Sequence, residues 1–160
     1  MMKKKVSAVS LDSPAKQLAG FIAKFETRVG KLIRSTRLAV RRRFPTATEI
    51  VYDNYNFLVL GFSSSERPSD CVVSLAANAK GAGLCFYYGA TLPDPHKILQ
   101  GSGNQTRFIR IESAATLADP PVEALLKAAV KQAKTPMPTD GKERTIIKSI
   151  SAKQRPRRSL

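Results

Sequence analysis

The sequence is poor in the residues from which catalytic and metal sites are usually built. In 160 residues it has no tryptophan, one histidine (His96) and two cysteines, Cys71 and Cys85. The cysteines have no CxxC spacing, so we expect no metal site built on them. Both fall in strand-like runs, which is typical of buried, reduced thiols in a cytoplasmic protein. We therefore expect no metal, no cofactor and no catalytic centre.

Long apolar runs are absent as well. No stretch approaches the roughly 20 apolar residues of a membrane helix. The N-terminal MMKKKVSAVSLDSPAK is basic but has no apolar core after it, so a signal peptide is not predicted. The length and the 42% hydrophobic content suit one domain with a real core, and no membrane partner is expected.

Positive charge, by contrast, is abundant, and it is unevenly placed. The net charge is +15, of which residues 12–43 and 131–160 contribute +7 each, whereas residues 44–130 carry −2. Such a distribution attracts polyanions without sequence preference. The candidate nucleic-acid contacts are Lys24, Arg28, Lys31, Arg155, Arg157 and Arg158. The alternative is a solvated helix face with solubilising tails.

The first periodic segment, from Ser13 to Arg43, is helical. Apolar residues recur there at spacings of three and four: Leu18, Ile22, Phe25, Val29, Leu32, Thr36 and Val40. Ser13 and Pro14 are predicted to form the N-cap and the first turn. The basic residues are expected to project from the other side: Lys24, Arg28, Lys31, Arg34 and Arg41. The pattern leaves open one helix or two, with a break near Glu26 and Thr27.

The middle of the chain has the composition of strands. Residues 49–62 are interpreted as two short strands around a turn at Asp53 and Asn54, and residues 71–77 and 83–89 as a hairpin. Symmetric pairing of that hairpin places Cys71 opposite the region of Tyr88, so a disulfide is not expected. Residues 106–112 form a further strand, with Arg107 and Arg110 on the face opposite Ile109 and Ile111.

A second helix is predicted after Asp119, its N-cap, with Pro120 at the first helical position. Its predicted buried stripe is Val122, Leu125, Leu126, Ala129, Val130 and Ala133. Residues 145–150 could dock as a strand, whereas 151–160 are too polar and basic to order alone. We thus expect an α+β fold with an antiparallel sheet of about five strands against an N-terminal and a C-terminal helix. The expected organisation is a basic extension (1–12), a domain (13–134) and a basic, mostly flexible tail (135–160).

The turn Gly101-Ser102-Gly103 precedes a strand. Nucleotide-binding phosphate loops instead follow a strand and open a helix, so such a loop is not predicted. The glycines suit positive φ angles at a strand entry. An alternative hypothesis is that Asn104, Gln105 and Arg107 hold a small anion together with the turn amides. Asp94 before Pro95 is either a ligand or a turn residue.

The same region carries a family resemblance. GLCFYYGATLPDPHKILQGSGNQTRFIRIES resembles the signature stretch of the YdhG-like domain family, through Phe86, Gly89, Leu92, Asp94, Pro95, Leu99, Gly101, Gly103 and Arg107. Pro45, Glu49 and Tyr52 match upstream, and SISAKQRPRR is similar to one branch's ending. The resemblance implies an α/β sandwich and no settled activity. The family includes a frataxin-like iron chaperone, which implies iron binding through exposed carboxylates, but the first helical region here has only Asp12 and Glu26.

The sequence thus favours a non-enzymatic module that binds a small ligand or a protein partner against the sheet and the Gly-x-Gly loop. The candidate ligand-binding residues are Gly101, Gly103, Asn104, Arg107, Asp94 and Tyr88. The alternatives are a non-specific nucleic-acid-associated protein and, after it, an iron-binding chaperone.

Overall fold

The N-terminal periodic segment consists of two helices. The structure, a computed structural model, describes residues 12–159. Helix α1 runs over Pro14–Ala23 and α2 over Thr27–Arg43. The Ser13 side chain accepts a hydrogen bond from the Lys16 amide at 3.1 Å, which confirms the predicted N-cap. The expected basic extension 1–12 lies, except for Asp12, outside the described residues.

The predicted apolar stripe of the two helices is confirmed, apart from Leu32, which is only partly buried. One prediction for the polar side is wrong, because Arg41 is buried at 7% exposure. The cause is Glu49 on the neighbouring strand, whose buried carboxylate draws the guanidinium inwards. Arg41 also donates to the carbonyl of Ala47 at 3.0 Å.

The sheet is mixed and has six strands, so the expectation of about five antiparallel strands is corrected while the α+β class holds. The strands are β1 (Thr48–Asp53), β2 (Leu58–Ser63), β3 (Cys71–Asn78), β4 (Gly81–Phe86), β5 (Arg107–Ile111) and β6 (Arg144–Ile150). Their spatial order is β5-β4-β3-β2-β1-β6. Neighbours are antiparallel except β1 and β6, which are parallel.

The β3–β4 hairpin keeps the two cysteines apart. Ser74 pairs with Cys85 in this hairpin, whereas Cys71 pairs with Ser63 of β2. Both thiols are free, as the symmetric pairing predicted.

The third helix, α3, runs over Pro120–Gln132 and follows Asp119 as predicted. All three helices pack on one face of the sheet, where the core includes Val51, Leu60, Leu75 and Leu84. Four residues of the predicted stripe of α3 are buried: Val122, Leu125, Leu126 and Ala129. Val130 is not, with 40% exposure, because it lies at the edge of the helix face that meets the sheet.

On β5 the alternation of faces differs from the prediction. Ile109 and Ile111 are buried, and Phe108 and Arg110 occupy the opposite face. Arg107 is half-buried and shares the side of Ile109, since residues two apart in a strand point the same way.

Strand β1 places two carboxylates, Glu49 and Asp53, under the helices, and both are fully buried. Glu49 accepts two hydrogen bonds of 2.8 Å from Arg37 and one of 3.2 Å from Arg41. Asp53 is held from two other segments, as described below. Buried charges are stable only when paired and hydrogen-bonded, which is the arrangement observed.

The segment after α3 packs against the rest of the domain. Residues 145–150, whose docking the sequence left open, lie in β6 at the edge of the sheet beside β1. Beyond β6, Arg157 is buried with only 5% exposure. The expected boundary at residue 134 thus does not separate a tail from the domain, because the buried Asp53 provides an anchor for the otherwise polar segment.

Candidate functional site

A cavity of about 370 Å³ lies where one end of the β3–β4 hairpin meets the C-terminal end of α3. Its lining comes from four places in the chain: the loop before β3, the ends of β3 and β4, the short 3₁₀ turn Gly89–Thr91, and the last turn of α3 with the residues after it. The volume is at the lower end of the range for small-molecule sites. Because strands of the sheet and a helix contribute to the lining, the packing of these two layers shapes the cavity.

The inner part of the cavity is apolar. It is lined by Val72, Phe86, Leu92, Ala129 and Ala133. The first four are buried core residues, and the two alanines leave space because their side chains are short. An apolar ligand surface would be removed from water here, which contributes roughly 25 cal/mol per Å².

Hydrogen bonds fix one wall of the cavity. The Gln132 side chain donates to the Tyr88 carbonyl at 2.9 Å and accepts from the Thr91 hydroxyl at 2.9 Å. The Tyr88 hydroxyl donates to the Ser69 carbonyl at 2.7 Å. The wall is therefore built before any ligand arrives, which lowers the entropic cost of binding.

The rim of the cavity carries two cations and one anion. Arg67 contacts Asp70 through Nε at 3.3 Å, and Ser65 donates to the same carboxylate at 2.6 Å. These hydrogen bonds, that of Ser65 first, lower the pKa of Asp70. Lys134 is exposed and pairs with no carboxylate in residues 12–159. The net charge of the rim is thus +1.

Cys71 also lines the cavity, but its thiol is not an activated nucleophile. Burial raises the pKa of Cys71 to about 11, against the opposing effect of a hydrogen bond with Ser63. The reactive form of cysteine is the thiolate, so at neutral pH this side chain behaves as a small apolar group.

The Gly-x-Gly loop is not the centre of the cavity. Gly101 has φ +116°, as the sequence predicted, whereas Gly103 is outside the left-handed region. Arg107 donates from Nη1 to the carbonyls of Gly103 and Thr106, so its guanidinium closes the loop. Asp94 accepts from the amides of Ile98 and Leu99, both at 3.0 Å, which assigns it the structural role of a turn residue.

The six predicted ligand-binding residues therefore separate into two groups. Tyr88 and Asn104 line a second cavity of about 240 Å³, with Ala90, Thr91 and Gln105. Tyr88 and Thr91 are shared with the larger cavity, so the two are neighbours. Gly101, Gly103, Arg107 and Asp94 line neither of them. The six candidate residues thus do not line one common cavity, because the loop uses its own polar groups internally.

The predicted nucleic-acid contacts also divide. Lys24 and Arg157 both bind the buried Asp53, at 2.6 and 2.8 Å, and Arg157 is itself buried. Arg155 lies over the Tyr55 ring, 5.5 Å from its centroid. Arg28, Lys31 and Arg158 are exposed.

Sequence reasoning missed most of the cavity. Arg67 stands in the loop before β3, far in sequence from Gln132 and Lys134 at the end of α3, and packing of α3 on the hairpin brings them together. The one local signal was the pair Arg67 and Asp70 in the loop SSSERPSD, whose spacing of three suits an ion pair in a short helical turn.

In residues 12–159, no group of three or more His, Cys, Asp or Glu side chains is placed to hold a metal ion. None of the helices described is long and apolar enough to cross a membrane. No family model, no curated protein and no solved structure matches this chain.

Proposed function

We propose that the protein is a non-enzymatic binding module, similar to YdhG-like domains, whose ligand is a small amphipathic anion. The observation that carries the proposal is the cavity with an apolar interior and a rim where Arg67 and Lys134 outweigh Asp70. An apolar pocket with a few convergent polar groups is the usual form of a small-molecule site. A small carboxylic acid with an aromatic or aliphatic body matches both the apolar interior and the cationic rim.

Binding rather than catalysis is favoured by the lining residues. Their only carboxylate, Asp70, is occupied by Ser65 and Arg67, and their only thiol, Cys71, is held protonated. A nucleophile next to a general base is therefore missing from this set. We also propose a cytoplasmic location, in line with two free cysteines in the structure.

The test is a binding screen with benzoate, salicylate and octanoate, observed by NMR and by thermal unfolding. Binding to the native state raises the stability by RT ln(1 + [L]/Kd). We expect at least one probe to bind, and Ala133→Leu and Lys134→Gln to weaken it at least tenfold. Lys131→Gln is the matched control, since Lys131 is exposed in the last turn of α3, three residues before Lys134, but does not line the cavity.

Two results would contradict the proposal. One is that none of the carboxylates binds at millimolar concentration. The other is that Lys131→Gln weakens binding as much as Lys134→Gln, which would show a diffuse charge effect rather than a site.

The iron-chaperone alternative needs exposed carboxylates close together. Asp12 and Glu26 of the first helical region are each engaged separately, Asp12 near Lys16 at 3.7 Å and Glu26 with the Ser159 amide at 3.1 Å. Titration with ferrous iron in a calorimeter tests this alternative directly, and no heat beyond dilution would exclude it.

A further inference from the structure

Helix α2 carries cations that the fold does not use. It has seven basic and no acidic residues. Three of them are paired: Arg37 with Glu49, Arg41 with Glu49 and Glu143, and Arg43 with Glu123. The other four are exposed and form no ion pair with a side-chain carboxylate in the described part of the chain: Arg28, Lys31, Arg34 and Arg42.

These four cations lie on one face of the helix. At 100° per residue they fall within an arc of about 120°, and from residue 28 to residue 42 they span about 21 Å. Ser35 and Leu38 complete this face. The opposite face, with Val29, Ile33 and Val40, is fully buried. We call the four residues the α2 cation stripe; its orientation is fixed because the helix cannot rotate without exposing the core.

The stripe borders an open groove. Arg28, Lys31 and Arg34 line this groove together with Glu112 and Ser113, from the connection that follows β5. Glu112 is the only carboxylate among the lining residues, and it already lies 3.7 Å from Arg110. The groove therefore keeps an excess of positive charge.

We propose that the α2 cation stripe binds the phosphate backbone of nucleic acid without sequence preference. A row of exposed, unpaired cations on a rigid helix attracts phosphates and gains free energy by releasing their counterions. An anionic membrane is the less suitable partner, because the apolar face that a surface helix would insert is already buried. Leu38, 52% exposed, is the one large apolar side chain on the outer face.

Removal of the basic C-terminal residues is not a suitable test of the α2 cation stripe. Deletion of residues 140–160 would remove β6 and the buried Arg157, and so would disturb the fold rather than a binding surface. The suitable variant is R28Q/K31Q/R34Q/R42Q, because glutamine preserves helix propensity at exposed positions. The matched control is K80Q/K127Q/K131Q/K142Q, which removes four exposed charges elsewhere.

Binding is measured by fluorescence anisotropy with the full chain, a labelled 20-nucleotide oligothymidine and a duplex of the same length, at several salt concentrations. We expect the α2 variant to lose roughly tenfold or more in affinity at about 50 mM salt. We also expect its log–log salt slope on the single strand to fall by about 3, since each lost phosphate contact removes about 0.7. The control should keep most of the parent slope.

The proposal fails if neither nucleic acid binds, or if the two quadruple variants lose affinity equally, which would indicate net charge alone. It also fails if vesicles with anionic headgroups bind the parent more tightly than the oligonucleotides do. Far-UV circular dichroism and urea unfolding verify that both variants remain folded.

Discussion

Arg157 donates a hydrogen bond of 2.8 Å from Nη2 to Oδ1 of Asp53, across 104 positions of the chain, and both side chains are buried. The same Nη2 donates to the Asn54 carbonyl at 2.6 Å, and the guanidinium lies over the ring of Phe25. Its Nε and Nη1 have no hydrogen-bond partner in the described residues. The segment after β6 is therefore attached to the first strand by a buried ion pair, in addition to the hydrogen bond of the Ser151 amide with the Asp53 carbonyl.

Arg157→Ala is expected to lower the free energy of unfolding by about 3 kcal/mol. Removal of one partner of a buried pair leaves the other charge uncompensated, at a typical cost of 3–5 kcal/mol. The lower end applies because Lys24 remains on Asp53. Urea unfolding measures the change. Arg158→Ala, at the exposed next position, is the control and should change stability by less than about 0.5 kcal/mol. Equal effects of the two changes would contradict the buried pair.

The stability should fall in acid, partly through Asp53. Burial alone would raise the pKa of Asp53, but hydrogen bonds from Lys24, Arg157 and Gln154 outweigh it and lower that pKa below 3.8. Between the pKa of Asp53 in the folded chain and its pKa in the unfolded chain, the unfolded chain binds more protons. The contribution of Asp53 to stability is therefore complete above the unfolded pKa and is lost as the pH falls through the folded pKa.

Asp53→Asn should therefore reduce the slope of the unfolding free energy against pH below about pH 4, whatever its effect at neutral pH. Unfolding curves between about pH 3 and pH 7 give that slope. Asp140→Asn, an exposed aspartate, should retain the parent slope. A parent-like slope for Asp53→Asn would mean that other carboxylates carry the acid dependence.

Both thiols should resist alkylation in the native state. Burial raises the pKa of Cys71 to about 11 and also raises the pKa of Cys85, so little thiolate exists near pH 8. Treatment with iodoacetamide, followed by mass spectrometry, should show slow labelling that becomes fast in urea. Rapid labelling of Cys71 without denaturant would show that the cavity is far more open than the structure indicates.

The two glycines of the loop at 101–103 should respond differently to alanine. Gly101 has a positive φ, which alanine rarely adopts, so Gly101→Ala should cost about 1–3 kcal/mol. A Cβ on Gly103 would meet nothing within 4 Å, so Gly103→Ala should change the stability by less than about 1 kcal/mol. Thermal or urea unfolding of the two variants decides this, and a larger loss for Gly103→Ala would reverse the assignment.

Local patterns explain why much of the fold could be predicted. The helix N-cap at Ser13, the buried stripe of α3 and the separation of the two cysteines all depend on residues close in sequence. The burial of Arg41 and Arg157 depends instead on carboxylates of another element, Glu49 and Asp53 of β1. Periodicity predicts which face of a helix a residue occupies, but it carries no information on charged residues of other elements that pack against that face.

The cavity was beyond prediction for a related reason. Tyr88 is a candidate ligand contact in the sequence because Tyr87 and Tyr88 point to opposite faces of the sheet, which favours exposure of one of them. In the structure Tyr88 lines the cavity. Gln132 and Lys134 join it only through the packing of α3, which no spacing in the sequence specifies. Gly101 and Arg107 carry the family resemblance, but their hydrogen bonds and torsions are used to shape the loop.

The parallel pairing of β6 with β1 has a consequence for synthesis. Strands β1 to β5 can pair with their sequence neighbours as the chain leaves the ribosome, whereas β1 must wait for a partner almost a hundred residues later. Until then one edge of β1 is open, and Asp53 has Lys24 but lacks Arg157. Contacts of such sequence separation form slowly. A nascent chain stalled before residue 144 would thus expose an unpaired strand edge beside a carboxylate that lacks one of its two cationic partners. Such a chain would be more prone to aggregation and to proteolysis than the finished molecule.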